Sequence, residues 1–202
     1  MHITINNVLV TLSVIGLVKA MPAPSPTTED KSLQPRACQT VFPTFITKIY
    51  EASPDQIGNA NNSFFEVEYD YNGSPRRYDR DAVAQFEYIP QNAWGCQLEA
   101  YFPPGARVET HGDSRVDVYA VDRSSPVSEF SWNAAPKPAY LFGSTNFYSR
   151  PNEPTRIGII SVNCQSTLTF RFSISSTSNS GGVFFETGPN FGGQGLRLVH
   201  NC

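Results

Sequence analysis

"SFFEVEYD" (Ser63–Asp70) sets Phe65, Val67 and Tyr69 against Glu66, Glu68 and Asp70. Successive side chains of a β-strand leave on opposite faces, so this period of two marks a strand with one apolar and one solvated side. The same period recurs in "AVAQFEYI" (82–89), "CQLEAYF" (96–102), "RVDVYAVD" (115–122) and "TRIGIISVN" (155–163). It returns in "TLTFRFSI" (167–174), "GGVFFE" (181–186) and "GLRLV" (195–199). Between these runs lie "YNGSP", "FPPGA", "HGDS", "STSNSGG" and "GPNFGGQG", whose Gly, Pro, Asn and Ser favour turns. Sustained helical periodicity is missing. The one helical candidate is "PTFITKIYEA" (Pro43–Ala52), where Phe45, Ile46, Ile49 and Tyr50 fit a turn or two of amphipathic helix. The aromatic and Pro-rich stretch 127–149 receives no assignment. These patterns predict an all-β chain, an antiparallel β-sandwich of about nine strands with little helix.

The 202 residues suffice for one domain with a sizeable core. "VLVTLSVIGLV" (Val8–Val18) has the length of a signal-peptide core and is short for a membrane span. "VKA" follows, so cleavage is expected after Ala20, although the leader "MHITINN" has no Lys or Arg. The competing reading is an apolar strand or buried helix. Residues 21–37, "MPAPSPTTEDKSLQPRA", are too poor in apolar side chains to offset their ordering entropy. They are read as a disordered linker or propeptide, with Arg36 as a candidate processing site. The expected organisation is a signal peptide at 1–20, that linker at 21–37 and a β-sandwich domain at 38–202. No further apolar run of spanning length follows, so a secreted product, extracellular or in the cell wall, is expected.

The four cysteines, Cys38, Cys96, Cys164 and Cys202, all lie beyond this leader. An even count suits an oxidising compartment, and four cysteines allow three pairings. No C-x-x-C or Cys/His pair resembles a zinc site. Cys38 and Cys202 bound the domain, and domain termini often lie close together. Cys96 and Cys164 both adjoin apolar strand patterns, where a bridge would join the two sheets. Cys38–Cys202 and Cys96–Cys164 are therefore the favoured pairs. The formal charge of −3 supplies no electrostatic footprint for nucleic acid or anionic lipid.

"PRACQTVFPTF" (35–45) and "QFEYIPQNAWGCQLEAYFPP" (85–104), with a strand-rich half ending in Cys202, resemble the fungal But-two C-terminal domain family. That family is named for a protein that binds a subunit of a ubiquitin-like activating enzyme. The resemblance spans Cys38–Cys202 and is most specific over Phe86–Pro103. It implies a β-sandwich without established catalytic residues. The family name is not carried over as a function, because the leader and cysteines place this chain outside the cytosol.

Candidate chemistry is sparse. "HGDSR" (His111–Arg115) holds the Gly-Asp-Ser of one esterase class, with His200 as a late histidine, yet it sits between strands and has ordinary turn composition. Glu66, Glu68, Asp70, Glu87, Glu99 and Glu109 are candidates for a pair of hydrolytic carboxylates, which must flank one bond at roughly 5–9 Å. Alternating acids more often form the solvated face of a sheet. Asp79 and Asp81 fall in "YDYNGSPRRYDRD", read as a charged hairpin loop with a dibasic pair at Arg76–Arg77. No loop repeats an oxygen-ligand spacing for calcium, and no cofactor is implied. "GPNFGGQG" lacks the Lys-Ser/Thr of a phosphate loop. Asn61 and Asn72 head N-glycosylation sequons. Trp94, Trp132, Tyr140 and Tyr148, with Phe142 and Phe147, are candidate ligand-binding aromatics, although core anchoring is their commoner fate. The expected function is non-catalytic binding of a cell-wall glycan or an extracellular protein. A secreted carboxylate-dependent hydrolase of glycans or esters is the alternative. Oligomeric state is left open.

Overall fold

The computed structural model describes residues 38–61, 63–71, 73, 78–121 and 130–202. The expected leader, linker and Arg36, the Asn72 sequon and Arg76–Arg77 lie outside the described residues. Among the described residues twelve strands follow one another: β1 (Gln39–Val41), β2 (Phe45–Tyr50), β3 (Phe64–Asp70), β4 (Tyr78–Phe86), β5 (Cys96–Phe102) and β6 (Val108–Gly112). Then come β7 (Arg115–Val121), β8 (Pro138–Asn146), β9 (Thr155–Val162), β10 (Leu168–Ile174), β11 (Gly181–Glu186) and β12 (Gly195–His200). A 3₁₀ turn at Pro189–Phe191 interrupts "GPNFGGQG".

The strands form two antiparallel sheets. One has four strands in the order β1-β12-β5-β9. The other has eight, ordered β6-β11-β3-β4-β10-β7-β8, with β2 also paired to β4. The antiparallel sandwich is thus present, with twelve strands rather than about nine. "PTFITKIYEA" is strand β2, not helix: Ile46 pairs with Ala84 and Thr47 with Val83 of β4. Tyr78–Asp81 open β4 rather than extending a charged loop, and β4 stops at Phe86, before the end of the apolar run.

Alternation fixes which faces meet. Leu98 and Ala100 of β5 and Leu196 and Leu198 of β12 share one buried cluster with Phe65 and Val67 of β3 and Phe170 and Phe172 of β10. Phe185 on β11 is the junction. Its ring stacks on Phe65 at 4.7 Å and meets Phe102 of the opposite sheet edge-on at 5.1 Å. Phe147 closes a third side at 5.0 Å. Such offset and edge-to-face pairs add to the burial of apolar area.

Part of the outer face of the larger sheet is covered too. Phe45 and Ile49 of β2 and Val83 of β4 pack with Phe130 and Ala135, and Trp132 leans on this second cluster. Within that layer Arg171 Nε donates to Asp81 Oδ2 at 2.6 Å, and the guanidinium lies 4.5 Å from the centre of the Trp132 ring. Burial dominates the Asp81 carboxyl: it outweighs the attraction of Arg171 and raises the pKa from 3.8 to about 7.

Both favoured disulfides are present, with Cα separations of 4.5 Å for Cys38–Cys202 and 5.3 Å for Cys96–Cys164. Neither joins the two sheets as expected for Cys96–Cys164. Cys96 is opposite Val162 in the β5–β9 register, so that bridge links neighbours within the four-stranded sheet. Gln39 is opposite His200, so the other bridge links β1 to the end of β12 in the same sheet. Val199 pairs with Gln97, which places the end of β12 beside the start of β5. All four strands of that sheet are therefore tied at one end.

Two outcomes follow for stability. Phe185→Ala should cost about 3–5 kcal/mol in urea denaturation, because it empties the site where the sheets meet. For Asp81, the folded state favours the neutral acid, so its contribution is full below the unfolded pKa near 4 and is lost as pH rises through about 7. Denaturation midpoints should fall over that window. Asp81→Asn keeps an acceptor for Arg171 and cannot ionise, so it should flatten the decline.

Candidate functional site

The two sheets leave an opening on the side where their edge strands β8 and β9 face each other. A cleft of about 670 Å³ lies there, within the usual range for small-molecule sites. Ala120 and Val121 of β7, Leu168 and Phe170 of β10, and Tyr140 and Phe142 of β8 line it from the larger sheet. Val162 of β9 and the following Asn163, Gln165 and Thr167 line it from the other side. Among the described residues, none that lines it carries a formal charge at neutral pH. Apolar and aromatic walls are combined with neutral hydroxyl and amide groups.

Strand β8 has the shape that makes this wall. Val118 pairs with Gly143 and Tyr119 with Leu141, so Phe142 is an extra residue in the ladder. Ala120 pairs with Tyr140 and Val121 with Pro138, so Ala139 is another. Each insertion is a β-bulge, which bends the strand and breaks its alternation. Tyr140 lies opposite Ala120, a core-facing position, and therefore faces the cleft. Its ring is edge-on to Phe142 at 4.8 Å and is still 60% exposed. That is the condition of an aromatic surface held in place but open to a ligand.

The opposite wall is held by a covalent bond. Cys164 stands between the lining residues Asn163 and Gln165, and its bridge to Cys96 anchors that segment to β5. The Ile89 N–H donates to the Ser166 carbonyl at 3.2 Å and secures the same wall from the β4–β5 connection.

The other aromatics singled out from the sequence are dispersed. Trp132 sits over Arg171 in the outer cluster. Phe147 is buried among Phe65 and Phe185. Tyr148 is 47% exposed beyond the end of β8 and does not line the cleft. Trp94 is 50% exposed two residues before Cys96. Tyr88, which strand periodicity hides inside "QFEYI", is 87% exposed.

The candidate carboxylates lie outside the lining of the cleft. Glu66 alternates with the core residues Phe65 and Val67, so it lies on the outer face of the larger sheet, 2.9 Å from Lys48 Nζ. Glu68 on that face is paired with Arg80. Glu99 alternates with Leu98 and Ala100, placing it on the outer face of the smaller sheet, where Arg197 Nη2 approaches at 2.6 Å and Arg156 Nε at 3.7 Å. Glu87 accepts from Gln85 Nε2 at 2.8 Å. Glu109 pairs with Arg107 at 2.7 Å. Glu66 and Glu99 thus occupy outer faces of different sheets and cannot flank one bond. Among the described residues, no three His, Cys, Asp or Glu side chains are grouped as metal ligands.

Gly-Asp-Ser forms the β6–β7 turn. Gly112 has φ 55°, and a Cβ there would lie 2.1 Å from the Ser180 carbonyl oxygen, so this turn requires glycine. Asp113 Oδ1 accepts from the Arg115 N–H at 3.4 Å, a local turn contact. His200 is buried in the other sheet, and its Nδ1 has no hydrogen-bond partner, so Ser114 is not paired with it there. Asn61 is tied down: Oδ1 accepts from the Ser63 and Phe64 N–H groups at 3.0 Å, and Nδ2 donates to the Ile46 carbonyl at 3.2 Å. The nitrogen that would carry a glycan is held against β2.

Comparison of the chain with protein-family models and with curated proteins yields no match. The But-two resemblance rests on the residues quoted for it.

The bridge should act locally on the cleft. Replacing Cys96 and Cys164 together by Ser should cost about 2–4 kcal/mol and speed amide hydrogen exchange over 163–167. Replacing Cys38 and Cys202 should leave exchange in that segment unchanged.

Proposed function

We propose that the protein is a secreted β-sandwich that binds a neutral glycan, in the cell wall or surrounding matrix, through the cleft between β8 and β9. The observation that carries this reading is the uncharged cleft with Tyr140 open in its wall. A pyranose ring has an apolar C–H face and a rim of hydroxyls. An exposed tyrosine ring packs against the first, and neutral side chains such as Asn163, Gln165 and Thr167 exchange hydrogen bonds with the second. A charged ligand would leave its charge uncompensated in this lining. The apolar amino-terminal run and the two disulfides support a secreted location. No helix among the described residues is long and apolar enough to cross a membrane.

Binding is favoured over hydrolysis because no Asp or Glu is among the described lining residues. Protein partners are a weaker fit to the same site, since a concave pocket suits a ring or short chain better than a flat contact.

Isothermal titration calorimetry with hexamers of β-1,3-linked glucose and of β-1,4-linked N-acetylglucosamine tests this reading. Saturable binding of at least one is expected. Tyr140→Ala should weaken it about tenfold, close to 1.4 kcal/mol, with the melting temperature nearly unchanged. Absence of saturable binding by the wild-type protein to either hexamer rejects the proposal.

A further inference from the structure

Backbone strain among the described residues gathers at one end of the four-stranded sheet. Apart from glycines, two residues have positive φ: Tyr88 at 62° and Asn201 at 58°. Asparagine tolerates this region, whereas a tyrosine with its Cβ does so at a cost. Tyr88 also buries almost nothing in return, being 87% exposed. Strain that yields no packing is a feature of sites that present a side chain for binding.

The surroundings hold that presentation rigid. Ile89, next in the chain, is 2% exposed, and its N–H is bonded to the Ser166 carbonyl. Pro90 and Ala93 close a turn, the Ala93 N–H donating to the Pro90 carbonyl at 2.9 Å. Asn201 clasps the far end: its N–H donates to the Trp94 carbonyl at 2.9 Å, and its Oδ1 accepts from the Trp94 N–H at 3.0 Å. Cys96 and Cys202, one on each side of this clasp, are bridged to Cys164 and Cys38 respectively. An aromatic loop fixed before binding loses little entropy when a ligand arrives.

The loop is hydrogen-bonded to the segment that lines the cleft. Ser166 lies between the lining residues Gln165 and Thr167, and Phe86 is in register with the lining residue Leu168. The stretch Phe86–Ile89 therefore neighbours the segment 165–168 that lines the cleft, without itself lining it. Residues 88–94, "YIPQNAW", contain no charge, matching the neutral lining.

We propose that Tyr88, with Trp94 on the same loop, is a second sugar-stacking platform. The ligand is then a neutral oligosaccharide chain running from the cleft over the β4–β5 loop, rather than a single sugar or disaccharide. This inference rests on the cleft binding a glycan. Tyr140 holds one sugar in the cleft, and Tyr88 engages a later unit of the chain.

The test compares hexamers and dimers of β-1,3-linked glucose and β-1,4-linked N-acetylglucosamine by calorimetry, using wild type, Tyr88→Gly, Tyr88→Asn and Tyr140→Ala. The wild-type protein should bind one hexamer at least tenfold tighter than its dimer. Tyr88→Gly and Tyr88→Asn should lose most of that advantage, keep the dimer affinity, and melt at the same or a higher temperature because the strain is relieved. Tyr140→Ala should weaken both lengths. Hexamer affinity unchanged in both Tyr88 variants, with Tyr140→Ala still impaired, overturns the second platform and leaves the cleft standing. Lower melting temperatures in both Tyr88 variants, with loss of dimer binding as well, overturn it in favour of a structural role. No binding of either hexamer by wild type overturns the cleft reading and this one with it.

Discussion

Phe185 meeting Phe102 edge-on is the contact on which the two-sheet arrangement depends. It brings β11 of the larger sheet against β5 of the smaller one and sets the inner faces of both. Once these are fixed, every acid in "SFFEVEYD" and every polar residue of β5 that alternates with the core is sent outward. The outward acids then meet cations on their own sheets. Lys48 and Arg80 serve Glu66 and Glu68, and Arg197 and Arg156 serve Glu99. Packing of the apolar face thus decides the fate of the charged one. The same alternation that made these carboxylates visible as a possible reactive set puts Glu66 and Glu68 on one outer face and Glu99 on that of the other sheet, each beside a cation.

The two disulfides act on a different part of the problem. The smaller sheet has four strands and a short edge strand in β1, so it has less pairing to hold it than its eight-stranded partner. Both bridges lie within this smaller sheet and at the same end. One ties the short edge strand to β12; the other ties β9 to β5 beside the cleft. Covalent constraint is concentrated where hydrogen-bonded neighbours are fewest and where the strained loop around Tyr88 departs. The bridges therefore stiffen the candidate binding surface as well as the fold.

Most of the fold was legible because most strands bury one face. β3, β5, β7, β9, β10, β11 and β12 all follow the apolar alternation of the sequence closely. The misses have separate physical causes. β2 is buried on both faces, with Ile46 in the main core and Phe45 and Ile49 in the outer cluster. Its apolar residues then fall at 45, 46, 49 and 50, a spacing that also suits a helix. β6 is an exposed edge strand with a single intermediate apolar residue at Val108, so it shows no alternation. β8 has two bulges, each of which shifts the phase of the pattern. Half of the cleft was accordingly visible as residue types, in Tyr140 and Phe142, without a strand on which to place them. Tyr88 was concealed by the opposite effect: it keeps the two-residue period from Phe86, but β4 ends and the backbone turns left-handed before its ring can turn inward.

These departures from regular alternation bear on function. A sheet with unbroken period two can offer a ligand only a flat face, and here the outer faces are occupied by ion pairs and by the Trp132–Arg171 layer. An opening with inward-facing rings that remain accessible needs an irregular edge. The Phe142 and Ala139 bulges supply it on one side, and the Cys164 segment, leaving β9 and fixed to Cys96, supplies it on the other. A local break in a pattern adds cost to folding through lost ladder bonds, and that cost is tolerated most readily at edge strands. Both walls of the cleft lie at such edges. Irregularity, exposure of aromatic rings and neutral polarity therefore coincide in one place, while the ion pairs among the described residues lie elsewhere. That separation favours recognition of an uncharged ligand over acid–base chemistry, which needs a titratable group where the ligand sits.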